Sequence, residues 1–99
     1  MSAITENFTV SARLMGGDDA EVIIDLLQEN NPRLAVEDHG AYWSITADNE
    51  DLLFDMSEIG EAMGHPYSVS SFLAILASYK GEIDVRDDSV VIKVFAPHQ

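Results

Sequence analysis

Apolar and polar residues alternate along several stretches of this chain, which is the pattern of strands with one buried face. The predicted strands cover residues 8–14, 34–38, 41–47, 83–85 and 90–94, with a short extended segment at 52–54. An Arg86–Ser89 segment separates the last two strands, so we expect them to pair as an antiparallel hairpin. Trp43 alternates in phase with Ile45, and we therefore expect it to face the core.

Three other segments space their apolar residues as one face of a helix. The predicted helices cover residues 18–30, 55–64 and 68–80. Asp18 and Glu21 resemble a capping box at the start of the first helix, and Ser68 is expected to cap the third. Gly81 follows the third helix directly, as a helix-terminating glycine commonly does.

The order of the predicted elements is strand, helix, two strands, two helices and two strands. This order favours a single α+β domain with a mostly antiparallel sheet. A length of 99 residues suits one domain with one modest core. We expect that domain to span residues 8–96, after a flexible N-terminal segment of residues 1–7.

The composition is strongly acidic and argues against several classes of partner. Eighteen acidic residues against 5 basic ones give a net charge of −13. A charge of this sign repels phosphate backbones and anionic lipids, so we expect no binding to nucleic acid or to a membrane. The charge favours approach to a basic surface on another protein. Because two copies repel each other, it also favours a monomer when the protein is free.

The sequence has none of the patterns that cofactor or metal chemistry requires. It contains no cysteine, which excludes disulfides, thiolate metal ligands and a cysteine nucleophile. Its histidines, His39, His65 and His98, lack the spacing of a helical metal site. We therefore expect no cofactor, no bound metal and no enzymatic activity of its own. Without a signal peptide or an apolar stretch of about 20 residues, the sequence predicts a cytoplasmic protein.

The predicted third helix has no charged residue between Ser68 and Tyr79, although almost one residue in five of the chain is acidic. Its outward face would consist of small side chains, which a partner can approach closely and desolvate at little cost. This face is either a docking surface or a surface that another part of the chain covers, and the pattern leaves both open. A carrier protein is a further alternative, because Ser89 lies in an Asp-Ser-Val sequence. Its position in a predicted turn, and not at the start of a helix, disfavours that alternative.

Several short motifs occur in an order that is found in one protein family. They are Val36-Glu37-Asp38-His39-Gly40-Ala41-Tyr42-Trp43-Ser44-Ile45, Asp55-x-x-Glu58-Ile59, Met63-Gly64-His65-Pro66-Tyr67, Phe72-Leu73 and Gly81. Over residues 8–95 the chain resembles the effector family of bacterial multicomponent monooxygenases, the regulatory proteins of methane, phenol, toluene and alkene monooxygenases. The resemblance implies a cofactor-free protein that binds a di-iron hydroxylase near its active site. It would tune substrate access, oxygen activation and coupling without oxidising the substrate itself.

The resemblance also indicates which residues would contact the hydroxylase. In the methane-type regulator, small polar residues at the position of the third helix's end face the hydroxylase. By position, the resemblance indicates Ile75, Ala77, Ser78 and Tyr79. The uncharged outward face of the helix adds Ser71 and Ala74 to the expected contact residues, and Asn31 and Arg33, after the first helix, are weaker candidates for the rim. An acidic protein–protein adaptor with some other partner is the alternative function.

Overall fold

The computed structural model describes residues 9–94. Its helices are α1 (Asp18–Asn30), α2 (Met56–Met63) and α3 (Val69–Ile75). Its strands are β1 (Thr9–Met15), β2 (Ala35–Asp38), β3 (Tyr42–Asp48), β4 (Leu52–Asp55), β5 (Leu76–Lys80), β6 (Glu82–Val85) and β7 (Ser89–Lys93). The expected segment 1–7 and the end of the domain at residue 96 lie outside the described residues, so the domain bounds stay a prediction.

The strands form a four-stranded sheet and a three-stranded sheet. The four-stranded sheet has the order β2-β3-β1-β5, and the three-stranded sheet has the order β4-β7-β6. Every strand pair within residues 9–94 is antiparallel. The predicted hairpin is the β6–β7 pair, and the short extended segment expected at 52–54 is strand β4. The predicted α+β class with mostly antiparallel sheet is therefore confirmed.

One hydrophobic core joins both sheets to the helices. Along β1, Val10, Ala12 and Leu14 are fully buried, while the residues between them stay nearer the surface, as a period of two predicts. One face of α1 adds four buried apolar residues, namely Ala20, Ile23, Ile24 and Leu27. Phe72 of α3 meets Phe54 of β4 with ring centroids 4.5 Å apart. The predicted contribution of Trp43 is also found, since it packs against this core.

The ends of α2 and the start of α3 follow the signals in the sequence. The Oδ1 of Asp55 accepts a hydrogen bond from the backbone N–H of Ser57 at 2.9 Å, which caps α2. Gly64 ends α2 in the left-handed conformation. The Oγ of Ser68 accepts a hydrogen bond from the backbone N–H of Ser71 at 3.1 Å, which caps α3.

Two predictions about the helices are wrong. Gly17, and not Asp18, is the N-cap residue of α1, and no side chain caps this helix. The third helix ends at Ile75, and the residues predicted as its second half form strand β5. The apolar residues of this short segment fit the period of a helix as well as the period of a strand. Pairing with β1 satisfies the backbone N–H and C=O groups of the segment along a sheet edge that would otherwise be open. Tertiary pairing therefore decides its structure.

Gly81 lies where the chain leaves the four-stranded sheet and enters the three-stranded sheet. Its φ is +132°, a conformation that residues with a side chain rarely adopt. A β-carbon at this position would lie 2.7 Å from the carbonyl oxygen of Lys93 and 2.8 Å from Cγ2 of Ile92. The residue predicted to stop a helix thus allows one continuous backbone to pass between two packed sheets.

Candidate docking surface

Helix α3 presents one face to the core and the other to solvent. Phe72 is fully buried, and Ile75 packs against the edge of the core. At the start of the helix, the hydroxyl of Ser68 donates a hydrogen bond to the Oγ of Ser71 at 3.0 Å, in addition to capping the backbone. Ser71 and Ala74 are consequently exposed on the opposite face.

Strand β5 follows α3 without a loop and forms one edge of the four-stranded sheet. In its pairing with β1, Arg13 lies opposite Ser78 and Ala12 lies opposite Tyr79, and a bulge leaves Ala77 as the extra residue. Because successive side chains of a strand point to opposite faces, Ser78 shares a face with Arg13 and Tyr79 shares a face with Ala12. Tyr79 remains 45% exposed because it lies at the sheet edge.

The six residues predicted on the third helix are divided between α3 and β5, and Ser78 and Tyr79 point to opposite faces of the sheet. We call residues 69–79, which contain no charged side chain, the uncharged strip. Within it, Ser71, Ala74, Ala77, Ser78 and Tyr79 are exposed, and Ile75 is half-buried. These exposures show that no other segment within residues 9–94 covers the strip. Leu73, which is 39% exposed, adds an apolar side chain to the exposed part of the strip.

The two residues expected at the rim lie apart from the uncharged strip. The Nδ2 of Asn31 donates to Oε1 of Glu50 at 2.9 Å, and the guanidinium of Arg33 lies 3.0 Å from Oε2 of the same carboxylate. Both residues precede β2, whereas β5 forms the other edge of the four-stranded sheet. With two strands between these edges, the separation is about 14 Å. Asn31 and Arg33 therefore belong to a different part of the surface.

Two perturbed ionisable groups belong to structural contacts away from the strip. A hydrogen bond from Arg86 lowers the pKa of Asp84, and nearby Lys93 acts in the same direction. Partial burial, followed by the charge of Asp19 and a hydrogen bond to it, raises the pKa of Tyr67 to about 12. The hydroxyl of Tyr67 donates to Oδ2 of Asp19 at 3.4 Å, which connects the segment before α3 to the first turn of α1.

An open groove of about 490 Å³ lies between α2, the segment before α3 and the β6–β7 turn. Glu61, His65, Tyr67 and Asp88 are among the residues that line it. Within residues 9–94, no group of three or more histidine, aspartate or glutamate side chains is placed to hold a metal ion. No helix of the described segment is long and apolar enough to cross a membrane.

Ser89 occupies the first position of β7, where it pairs with Asp55 of β4. Its carbonyl oxygen accepts a hydrogen bond from the backbone N–H of Arg86 at 2.8 Å, which closes the hairpin turn. A carrier protein bears its prosthetic group on a serine at the start of a helix, which is a different arrangement. The predicted turn is thus one residue shorter than expected, and Ser89 begins a strand and not a helix.

Similarity to known proteins accounts for most of the chain. The model of the MmoB/DmpM family matches residues 8–93. Methane monooxygenase regulatory protein B of Methylosinus trichosporium is 32% identical over 83 residues, in a match that covers 79% of this chain and 59% of the relative. The chain thus spans less than two thirds of that relative's length.

Solved structures show the same fold. A chain from a phenol hydroxylase–regulatory protein complex superposes with a TM-score of 0.75 and 22% identity, over 86% of this chain and 97% of the other. The soluble methane monooxygenase regulatory protein B superposes with a TM-score of 0.67 and 26% identity, over 95% of this chain and 70% of the other. The resemblance noted in the sequence is confirmed. With its family model matched over residues 8–93, this chain belongs to the MmoB/DmpM family.

Proposed function

We propose that this chain is a cofactor-free regulatory protein that binds the di-iron hydroxylase of a multicomponent monooxygenase and tunes its activity. The observation that supports this function best is the family match over residues 8–93, since a relative at 32% identity is a monooxygenase regulatory protein. The chain would act without catalysing the oxidation itself. The absence of cysteine from the sequence fits a role in the reducing cytoplasm.

The uncharged strip is the proposed centre of the interface with the hydroxylase. Ser71, Ala74 and Ala77 leave the backbone accessible to a close partner surface, and their desolvation costs little. Ser78 adds a hydroxyl group that can hydrogen-bond across the interface, and Tyr79 offers another at the edge of the sheet. Acidic residues around the strip would steer approach toward a basic region of the hydroxylase.

Regulation follows if the strip fits one conformation of the hydroxylase better than another. A bound protein shifts such an equilibrium only by the difference between its affinities for the two conformations. Selecting a conformation with altered substrate access or an altered di-iron environment would change turnover and coupling. The regulatory protein needs no chemistry of its own for this effect.

The test is product formation by the hydroxylase and its electron-transfer components, titrated with this chain. The expected result is a rise in product per electron consumed that saturates near equimolar protein. Absence of any effect on a hydroxylase that responds to another family member would contradict the proposal. In that case the adaptor function remains, because the net charge of −13 still favours binding to a basic protein surface.

A further inference from the structure

Two basic residues on the four-stranded sheet have no acidic partner within residues 9–94. Of the 5 basic residues in the chain, three form ion pairs with carboxylates. Arg13 instead lies over the ring of Tyr42, with its guanidinium carbon 5.3 Å from the ring centroid. The ammonium group of Lys80 donates a hydrogen bond to the hydroxyl of Thr9 at 3.2 Å. Within residues 9–94, Arg13 and Lys80 therefore lack the carboxylate partner that the other three basic residues have.

These cations are neighbours on the face of the sheet that points away from the core. In the pairing of β1 with β5, Ser11 lies opposite Lys80 and Arg13 lies opposite Ser78. The cations therefore occupy one diagonal of a four-residue set and the two hydroxyls occupy the other, with diagonal neighbours about 7–8 Å apart. We call Ser11, Arg13, Ser78 and Lys80 the basic patch. All four side chains can donate hydrogen bonds.

The acids that share this face form no ion pair with Arg13 or Lys80 within residues 9–94. Glu37 is on β2, with β3 between it and Arg13, and its carboxylate lies 3.2 Å from the imidazole of His39. Asp48 is at the end of β3, opposite Thr9. The positive charge of the basic patch is therefore available to a group outside the described chain.

We propose that the basic patch binds a carboxylate side chain of the hydroxylase. Ser78 belongs both to this patch and to the uncharged strip, so the patch lies at the border of the proposed interface. The remainder of the protein is acidic and favours basic surfaces, whereas this border favours an acidic side chain. Opposite preferences on neighbouring regions admit one orientation of the complex and disfavour others. This inference rests on the proposed function.

The test compares Arg13→Gln and Lys80→Gln with the control Lys93→Gln, each of which changes the net charge from −13 to −14. Lys93 is paired with Asp84 on the three-stranded sheet. We expect each patch variant to weaken binding to the hydroxylase by about threefold or more, while the control binds as tightly as the unaltered protein. Binding is measured by fluorescence or calorimetric titration, and thermal unfolding followed by circular dichroism verifies each fold.

The outcomes separate this inference from the proposed function. Equal affinities for all three variants and the unaltered protein would overturn the inference and leave the regulatory function standing. Failure of the unaltered protein to bind the hydroxylase would overturn both. Lys80 also lies on a sheet edge, where lysine commonly prevents edge-to-edge pairing. Self-association of Lys80→Gln with unchanged hydroxylase affinity would assign it that role alone and contradict the inference.

Discussion

Ala74 and Phe72 lie two positions apart on α3 and have opposite environments. Phe72 is fully buried, whereas Ala74 is exposed within the uncharged strip. Ala74→Glu should change the free energy of unfolding by less than about 0.5 kcal/mol, because exposed substitutions away from special features have small effects. It should weaken hydroxylase binding by about tenfold or more, because a carboxylate without a partner would be desolvated there. A binding titration, with urea unfolding alongside, measures both effects.

Ala62 provides the matched control for that substitution. It is an exposed alanine on α2, outside the uncharged strip, so Ala62→Glu introduces the same charge on a similar helical surface. We expect this variant to retain both binding and stimulation of the hydroxylase. Equal loss of binding by the two variants would attribute the effect to net charge and remove α3 from the interface.

A second prediction at the residue scale concerns the effect of Gly81→Ala on the free energy of unfolding. Gly81→Ala should lower the free energy of unfolding by about 2–4 kcal/mol, because a strained backbone and a collision with the next strand add together. Gly17 is the control, since its φ is +148° but a β-carbon there would have no atom within 4 Å. Gly17→Ala should cost less than Gly81→Ala, because backbone strain of about 1–3 kcal/mol acts there without a collision. Urea midpoints of the two variants give the comparison, and equal costs would contradict the proposed collision.

At the scale of elements, Tyr67 connects the segment before α3 to α1 and gives the fold a pH dependence. Its pKa of about 12 in the folded protein lies above the ordinary value of 10.0. As the pH rises, the unfolded chain loses the Tyr67 proton before the folded protein does. The contribution of Tyr67 to the free energy of unfolding is therefore fully present below about pH 10 and is lost as the pH rises through about 12.

Tyr67→Phe should therefore weaken the dependence of stability on pH in the alkaline range. The expected result is a smaller fall in the urea midpoint between about pH 9 and about pH 11.5 than in the unaltered protein. Tyr79→Phe, which removes the hydroxyl of an exposed tyrosine at a sheet edge, is the control variant. Identical profiles for Tyr67→Phe and the unaltered protein would exclude Tyr67 as the cause.

The elements also show where sequence patterns suffice. Alternation identified β1 and the β6–β7 hairpin, because one buried face imposes a period of two on each strand. The cap at Ser68 was predictable for the same kind of local reason, since a serine hydroxyl can accept a hydrogen bond from the first turn of a helix. The boundary between α3 and β5 was not predictable in this way, since what makes residue 76 begin a strand is the free edge of β1, which is distant in sequence.

The candidate surface likewise has some features with a local signal in the sequence and others that depend on the fold. The lack of charge in the strip is a property of the sequence, so the strip could be identified without a structure. Which of its side chains are exposed depends on where α3 ends, and the exposed Leu73 was not among the predicted contact residues. The pairing of Arg13 with Ser78 depends on strand register, and the separation of Asn31 from the strip depends on the order of strands in the sheet. Neither register nor strand order has a local signal in this sequence, so these relations required the folded chain.

For the whole molecule, the net charge of −13 predicts how association with the hydroxylase responds to salt. Screening at higher ionic strength shortens the range over which the acidic surface attracts a basic region. The association rate constant should fall by about threefold or more between about 20 and about 200 mM NaCl, with a smaller change in the dissociation rate constant. Stopped-flow mixing measures both, and an association rate independent of salt would contradict steering by charge.

The α3 part and the β5 part of the uncharged strip contact the rest of the molecule in different ways. Phe72 is the single fully buried side chain of α3, whereas β5 is held along its length by pairing with β1. Elements with few buried contacts open at lower free energy than strands within a sheet. We therefore expect the helical part of the strip to adjust more readily to a partner than the part that is paired with β1. A surface built in this way loses conformational freedom mainly in its helical half when it binds.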